Sequence, residues 1–342
     1  MDSGTLPREE QRLAWTRQIL GDRNVGLARA SADAGFRSYW RTLGAEPSRI
    51  VMDSPPDKED VKPWLRIRAM LEDAGVRVPQ VSCEDDAQGF LLMEDLGADT
   101  YLAALHADNA DALFDDAIGQ LLRIQAVPVP DNFPKYDEAL LLRELRLFDE
   151  WFLGKHLAVV PDVHDEKNLE QVHRLLIDAA LKQPQVFVHR DFMPRNLMPA
   201  NDGPAVLDFQ DAVRGPIAYD PLCLFKDAFV SWPQARVDGW LERYHQRAKA
   251  AGLPVPSLEQ FRRDVDWIGV HRHLKVIGIF ARLHHRDAKP HYLEDAPRFF
   301  AYLDRVLPKY PELAPLVAII DRHIRPTLKE YTHWTDGTGD ES

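Results

Sequence analysis

Hydrophobic and polar positions follow two regimes along the chain. In the first quarter the apolar runs are short, and beyond it they recur at helical spacing. Residues 7–20 read as an amphipathic helix, and "NVGLARASADAGF" as a strand running into a turn of small residues. "RSYWRTL" and "SRIVMDS" predict two more short strands. After the Pro55-Pro56 break, Val61, Trp64, Leu65, Ile67, Met70 and Leu71 recur at roughly helical spacing, closed by Gly75. Strands return at "PQVSCE" and "GFLLME", and "EDLGAD" reads as a connector. From there helices are predicted over 102–127, 136–153, 166–183, 237–251 and 258–284, with two more near the end and a polar, frayed tail at "TDGTGDES". The class expected is α+β, with a small antiparallel-sheet N-lobe over residues 1–94 and a mainly helical C-lobe over 95–342.

One stretch breaks the helical half. In "VFVHRDFMPRNLMPANDGPAVLDFQD", residues 186–211, two buried-strand runs, Val186–Val188 and Ala205–Leu207, each lead into carboxylates, with an amide between them. Acidic groups at adjacent strand ends suit a hard divalent cation better than a packed core. His189-Arg190-Asp191 is followed by Asn196 five positions after the aspartate, and Asp208-Phe209-Gln210 ends the second strand. This matches the kinase catalytic loop H-R-D-x-x-x-x-N and stands where a kinase has D-F-G. The spacing has a chemical reason. Asp191 must accept a hydrogen bond from an attacking hydroxyl, while Asn196 and Asp208 must hold Mg²⁺ against nucleotide phosphates. A sheet lobe, a connector and a helical lobe carrying this loop together form the layout of the two-lobed protein-kinase-like fold.

Composition narrows the partners. With 342 residues and 45% hydrophobic content the chain can bury a large core, which excludes a disordered protein. A net charge of −12 argues against a nucleic-acid partner and for a small-molecule one. Cys83 and Cys223 lack CxxC spacing, so two reduced thiols are expected rather than a zinc site or a disulfide framework. The acidic, amphipathic N-terminus lacks the features of a signal peptide, and no segment reads as a membrane span. A cytoplasmic monomer is expected.

After Asp208 there is no A-P-E segment. Asp211 and "RGPIAYDPLCL" lead straight into a helix, and in this the chain resembles the aminoglycoside phosphotransferase and choline kinase family. Asp220 before Pro221 reads as a helix N-cap with proline at the first helical position. Seven segments are similar to the bacterial anomeric kinases of N-acetylmuramate and N-acetylglucosamine, which serve peptidoglycan recycling in the cell wall. They are "SADAGFRSYWR", "IVMDSPPDKED", "GFLLMEDLGADTYL", "LLRELRLFDEWFL", "HRDFMPRNLM", "LDFQDAVRGPIAYD" and "HRHLKVIGIFARLHHRDAKPHYLEDAPR". The resemblance implies ATP-dependent phosphorylation of a sugar C1 hydroxyl. Asp191 would be the base, Arg195 would neutralise the transferring phosphoryl group, and Asn196 and Asp208 would hold Mg²⁺.

Two departures stand out. Met52 occupies the strand position where a kinase carries the lysine that clamps phosphates, with Arg49 and Lys58 flanking it as substitutes. "SADAGF" has one glycine, leaving the backbone of small residues such as Ser31 and Ala32 to cradle phosphate. The connector Met93, Glu94 and Leu96 would offer backbone groups to adenine. For the sugar, Glu144 and Trp151 lie on the "LLRELRLFDEWFL" helix and Asp211 follows the metal-binding segment. Arg272, Arg282 and Arg286 supply cations that would bind the lactyl carboxylate of N-acetylmuramate. His271, His273, His284 and His285 lack a carboxylate or Cys partner at ligand spacing and read as packing residues. Two alternatives stay open: a phosphotransferase acting on an aminoglycoside, choline or another small alcohol, and a nucleotide-binding regulatory pseudokinase.

Overall fold

The short apolar runs of the first quarter pair into a sheet. In the computed structural model, which describes residues 6–32, 36–201 and 203–327, helix α1 (Arg8–Leu20) precedes strands β1 (Gly26–Ala32), β2 (Ser38–Leu43) and β3 (Arg49–Asp53). Helix α2 (Lys62–Asp73), strands β4 (Val81–Asp85) and β5 (Phe90–Glu94) and a one-turn helix α3 (Tyr101–Ala104) follow. The sheet is antiparallel with order β1-β2-β3-β5-β4. Its period of two sorts the side chains onto opposite faces. Val51, Phe90 and Leu92 pack against Trp15 of α1 on one face. Asp53 shares that face and is buried with its carboxylate bridged by Arg8 and Arg12, each at 2.7 Å. The other face carries Tyr39, Met52 and Leu91, which are in register across β2, β3 and β5.

The remaining elements are α4 (Ala110–Gln125), α5 (Glu138–Leu147), α6 (Val163–Lys182), the short strands β6 (Gln185–Val188), β7 (Leu197–Met198), β8 (Ala205–Val206) and β9 (Val213–Pro216), and α7 (Tyr219–Phe225). They are followed by α8 (Gln234–Ala250), α9 (Leu258–Asp287), α10 (Ala296–Val306) and α11 (Ala314–Ile319). The chain divides into two compact units: residues up to Leu105 with Arg195–Gln210, and His106–Pro194 with Asp211 onward. The sequence placed the break at 94. The structure adds α3 and the β7–β8 hairpin to the first unit, because Val206 donates its N–H to Arg77 O at 2.8 Å and the Phe209 ring packs at a tilt, 5.0 Å away, on Trp64 of α2.

Two predicted helices differ in detail. The span 102–127 is broken between α3 and α4, where Asn109 Oδ1 accepts the His106 N–H at 2.9 Å and turns the chain. The span 136–153 starts at Glu138, capped by the Asp137 side chain on the Leu140 N–H, and continues past α5 as a π-helix, Phe148–His156. α9 crosses that joint at Gly278, where a Cβ would sit 2.3 Å from the Leu147 carbonyl carbon, so the close crossing requires glycine. Among the described residues no helix is long and apolar enough to cross a membrane. The tail at "TDGTGDES" lies outside the described residues.

Candidate active site

The first unit carries the amide and carboxylate expected to hold a metal. Asn196 closes a 3-10 turn, Pro194–Asn196, and its backbone oxygen accepts the Leu207 N–H at 2.9 Å, which brings the end of β8 beside it. Asn196 Nδ2 lies 3.4 Å from Asp208 Oδ2, and Gln210 Nε2 donates to Asp208 Oδ1 at 2.8 Å. Asp208 has φ +62°, a conformation uncommon among non-glycine residues and one that aspartate tolerates better than most. The fully buried Phe209 ring anchors the segment on Trp64. An amide and a carboxylate side by side fit Mg²⁺, which is commonly bound through one or two side chains plus substrate phosphates. Ser31 and Ala32 end β1 in the same unit, while residues 33–35 of the expected phosphate turn lie outside the described residues. Met93 is buried in β5, Leu96 is half-buried, and the Glu94 carboxylate is taken by Arg77 at 2.5 Å. Arg77 first and the Gln80 N–H after it hold the Glu94 carboxyl below its usual range against the effect of burial. Arg49 pairs with Glu94 in the sheet register, and Lys58 is exposed beside Asp57.

The second unit carries Asp191. Strand β6 ends at Val188, and the chain then bends through Arg190 at φ +77°. Asp220 holds this bend: its carboxylate accepts the N–H of His189 at 2.7 Å and of Arg190 at 2.9 Å. The sequence read Asp220 as an N-cap. Instead Ala218 holds the cap position of α7, and Asp220 is fully buried inside that helix beneath the bend through residues 189–191. Burial pushes its carboxyl up to about 7, with the two backbone N–H groups pulling it back. Asp191 is half-buried, its carbonyl accepts the Met193 N–H at 2.9 Å, and Arg195 is exposed.

A buried charge network lies beside the loop. Arg190 donates to Glu144 Oε1 at 2.5 Å, Lys275 of α9 reaches the same oxygen at 3.0 Å, and Tyr136 hydrogen-bonds Oε2. Lys275 also donates to the Tyr219 hydroxyl at 3.1 Å. Glu144 was expected to contact sugar, but it is 4% exposed with both oxygens engaged by protein donors, and it ties α5 to α9 and to the catalytic loop. Among the other predicted sugar contacts, Asp211 is exposed and Trp151 half-buried on the π-helix. The three α9 arginines are not brought together. Arg272 is 2% exposed with Nη1 buried and lacking a hydrogen-bond partner. Arg282 lies ten residues on, about 15 Å along the helix. Arg286 is exposed and doubly bonded to Asp287 at 2.7 and 2.9 Å. His271 is buried against the Leu141 carbonyl at 3.1 Å with its pKa lowered by burial to about 4. Among the described residues no three or more His, Cys, Asp or Glu side chains gather as a metal-ligand group.

A family model described as "Phosphotransferase enzyme family" matches residues 26–261. The N-acetylmuramate/N-acetylglucosamine kinase of Pseudomonas putida is 54% identical over 295 residues, covering 86% of this chain and 87% of its own. The protein of that name from Neisseria meningitidis is 43% identical over 312 residues, covering 90% and 93%. Among solved structures, an ADP-bound aminoglycoside phosphotransferase APH(2'')-Ib superposes with a TM-score of 0.58 at 17% identity, covering 88% of this chain and 98% of its own. Choline kinase LicA from Streptococcus pneumoniae gives 0.61 at 14% identity, covering 87% and 100%. At these identities the two structures establish the kinase-like fold.

Proposed function

The chain belongs to the phosphotransferase enzyme family, and we propose that it transfers the γ-phosphoryl group of ATP to the anomeric hydroxyl of N-acetylmuramate and N-acetylglucosamine. It is an ATP-dependent kinase acting on a sugar. The observation that carries the choice of acceptor is the high identity, over most of the chain, with kinases named for these two sugars. The products would be sugar 1-phosphates, and peptidoglycan recycling by a cytoplasmic monomer is part of this reading.

In the proposed mechanism Asp191 orients the C1 hydroxyl and takes its proton as the phosphoryl group departs from ADP. Its loop is held for that task by the two hydrogen bonds to Asp220. Asn196 and Asp208 would hold Mg²⁺, which when bound supplies charge neutralisation at the phosphate oxygens. Arg195 serves the transferring group's negative charge, backbone groups around Ser31 and Ala32 serve the phosphates, and those of Met93 to Leu96 serve adenine. For the sugar, Trp151 offers a flat face, Asp211 a hydroxyl acceptor, and Arg272 or Arg282 a partner for the lactyl carboxylate. Arg272 and Arg282 each carry a buried nitrogen without a hydrogen-bond partner, Nη1 and Nε respectively, and a buried cation disfavours a cationic acceptor such as choline.

The decisive assay offers the protein ATP and Mg²⁺ with N-acetylmuramate, N-acetylglucosamine, glucose, choline and kanamycin, and identifies the product by phosphorus NMR. A 1-phosphate of the two amino sugars is expected, whereas a 6-phosphate or a phosphorylated choline or kanamycin sinks the proposal. Asp208→Ala should lower turnover and also abolish most of the Mg²⁺-dependent gain in nucleotide affinity, because it removes a metal donor. Nucleotide titrations with and without Mg²⁺ check this, and an unchanged Mg²⁺ response would remove Asp208 from the metal site.

A further inference from the structure

The strand position that holds a phosphate-clamping lysine in kinases holds Met52 here, and Met52 is fully buried. A methionine offers no charge to a phosphate, so a cation for that role has to come from elsewhere. The start of β2 supplies it. Tyr39 of β2 is in register with Met52, and Ser31 of β1 is in register with Tyr39, so all three project to one face. Arg37 directly precedes Ser38, the first residue of β2, and its guanidinium meets Glu59 in the connection that follows β3. Ser31 and Arg37 therefore flank the turn that the sequence assigns to nucleotide phosphates.

Arg37 has the character of a prepared ligand. It is 8% exposed, and its Nε lies 3.1 Å from Glu59 Oε1. The direction of that contact is not a hydrogen bond, so the buried Nε hydrogen remains without an acceptor of good geometry. Glu59 is itself fixed, since Ser54 Oγ donates to its carbonyl at 3.1 Å and its N–H bonds Pro55 O at 2.9 Å. The other cations of this unit are held or exposed in different ways. Arg41 bonds both oxygens of Asp95 and the Gly97 carbonyl, Arg8 and Arg12 bridge Asp53, and Lys58 and Lys62 stand exposed beside Asp57 and Asp86. Kinases pair their clamping lysine with a helix glutamate. A buried cation oriented by a carboxylate is thus kept in this chain, with the cation moved from β3 to the start of β2.

We propose that Arg37, oriented by Glu59, is the side chain that grips the nucleotide phosphates and replaces the lysine absent at position 52. The proposal rests on the phosphotransferase reading, and its test needs no sugar. Binding of ATP, ADP and adenosine to the full chain is measured calorimetrically, with and without Mg²⁺, for the wild type, Arg37→Met, Arg37→Lys and Glu59→Gln. Arg37→Met should weaken ATP and ADP roughly 10- to 100-fold, the range for hydrogen bonds to charged groups, and leave adenosine unchanged. Arg37→Lys should recover most of the loss, and Glu59→Gln should show a smaller loss with the same dependence on phosphate. If Arg37→Met proves unstable, Arg37→Lys and Glu59→Gln carry the test by the same ratio of ATP to adenosine. Unchanged ATP affinity, or equal losses for ATP and adenosine, overturns the assignment of Arg37. Failure of the wild type to bind ATP at all would overturn the phosphotransferase reading instead.

Discussion

Asp191→Asn should lower sugar phosphorylation by roughly 10²- to 10⁴-fold, the usual contribution of a positioned general base, with nucleotide affinity little changed. The substitution keeps the shape of the side chain and removes only the acceptor charge. The loop around it is held in part by the His189 and Arg190 N–H groups on Asp220 and by the Met193 N–H on the Asp191 carbonyl, which the substitution leaves in place. The variant should therefore fold as the parent does, so that lost turnover reports chemistry. Single-turnover rates at saturating ATP and sugar, with nucleotide affinity measured separately, give the comparison. Near-normal turnover would falsify the assignment of Asp191 as the base.

What the sequence made legible, and what it hid, divides by the distance over which the signal acts. The five strands of the first sheet are written in short alternating runs, and each falls within a few residues of its predicted place. That Asn196 and Asp208 stand side by side follows from a fixed spacing around two strands, which a linear reading does contain. Asp220 was misread because its role depends on backbone N–H groups thirty residues upstream, whereas the local pattern of Asp before Pro satisfies the rule for a cap. Glu144 was placed on the right helix, but its partners Arg190 and Lys275 lie 46 and 131 residues away, and no periodicity announces them. Arg37 escaped for a related reason. Its carboxylate partner Glu59 lies 22 residues away, and a linear reading of "FRSYWR" does not contain that pairing.

Glu144→Gln should destabilise the unit that carries it by roughly 3–5 kcal/mol at neutral pH, the cost of breaking a buried ion pair by removing one partner. The carboxylate answers two buried cations: Arg190 at 2.5 Å and Lys275 at 3.0 Å. An amide of the same shape leaves both uncompensated. The pH dependence carries a sign that separates this cause from a general packing defect. Burial alone would raise the Glu144 carboxyl, but Lys275 and Arg190 overrule it and hold the pKa at about 2, below the ordinary 4.5. A carboxyl depressed in the folded state contributes stability that is fully present above the unfolded pKa and is lost as pH falls through the folded one. The gap between wild type and Glu144→Gln should therefore be constant from neutral pH down to about 4.5 and shrink between there and about 2. Urea unfolding of both proteins at a series of pH values measures it. A gap that is absent at neutral pH, or that does not narrow in acid, would mean that the charge of Glu144 does not hold the network together. Because Arg190 directly precedes Asp191, the same substitution should also reduce turnover, through a guanidinium that no longer anchors the catalytic loop to α5.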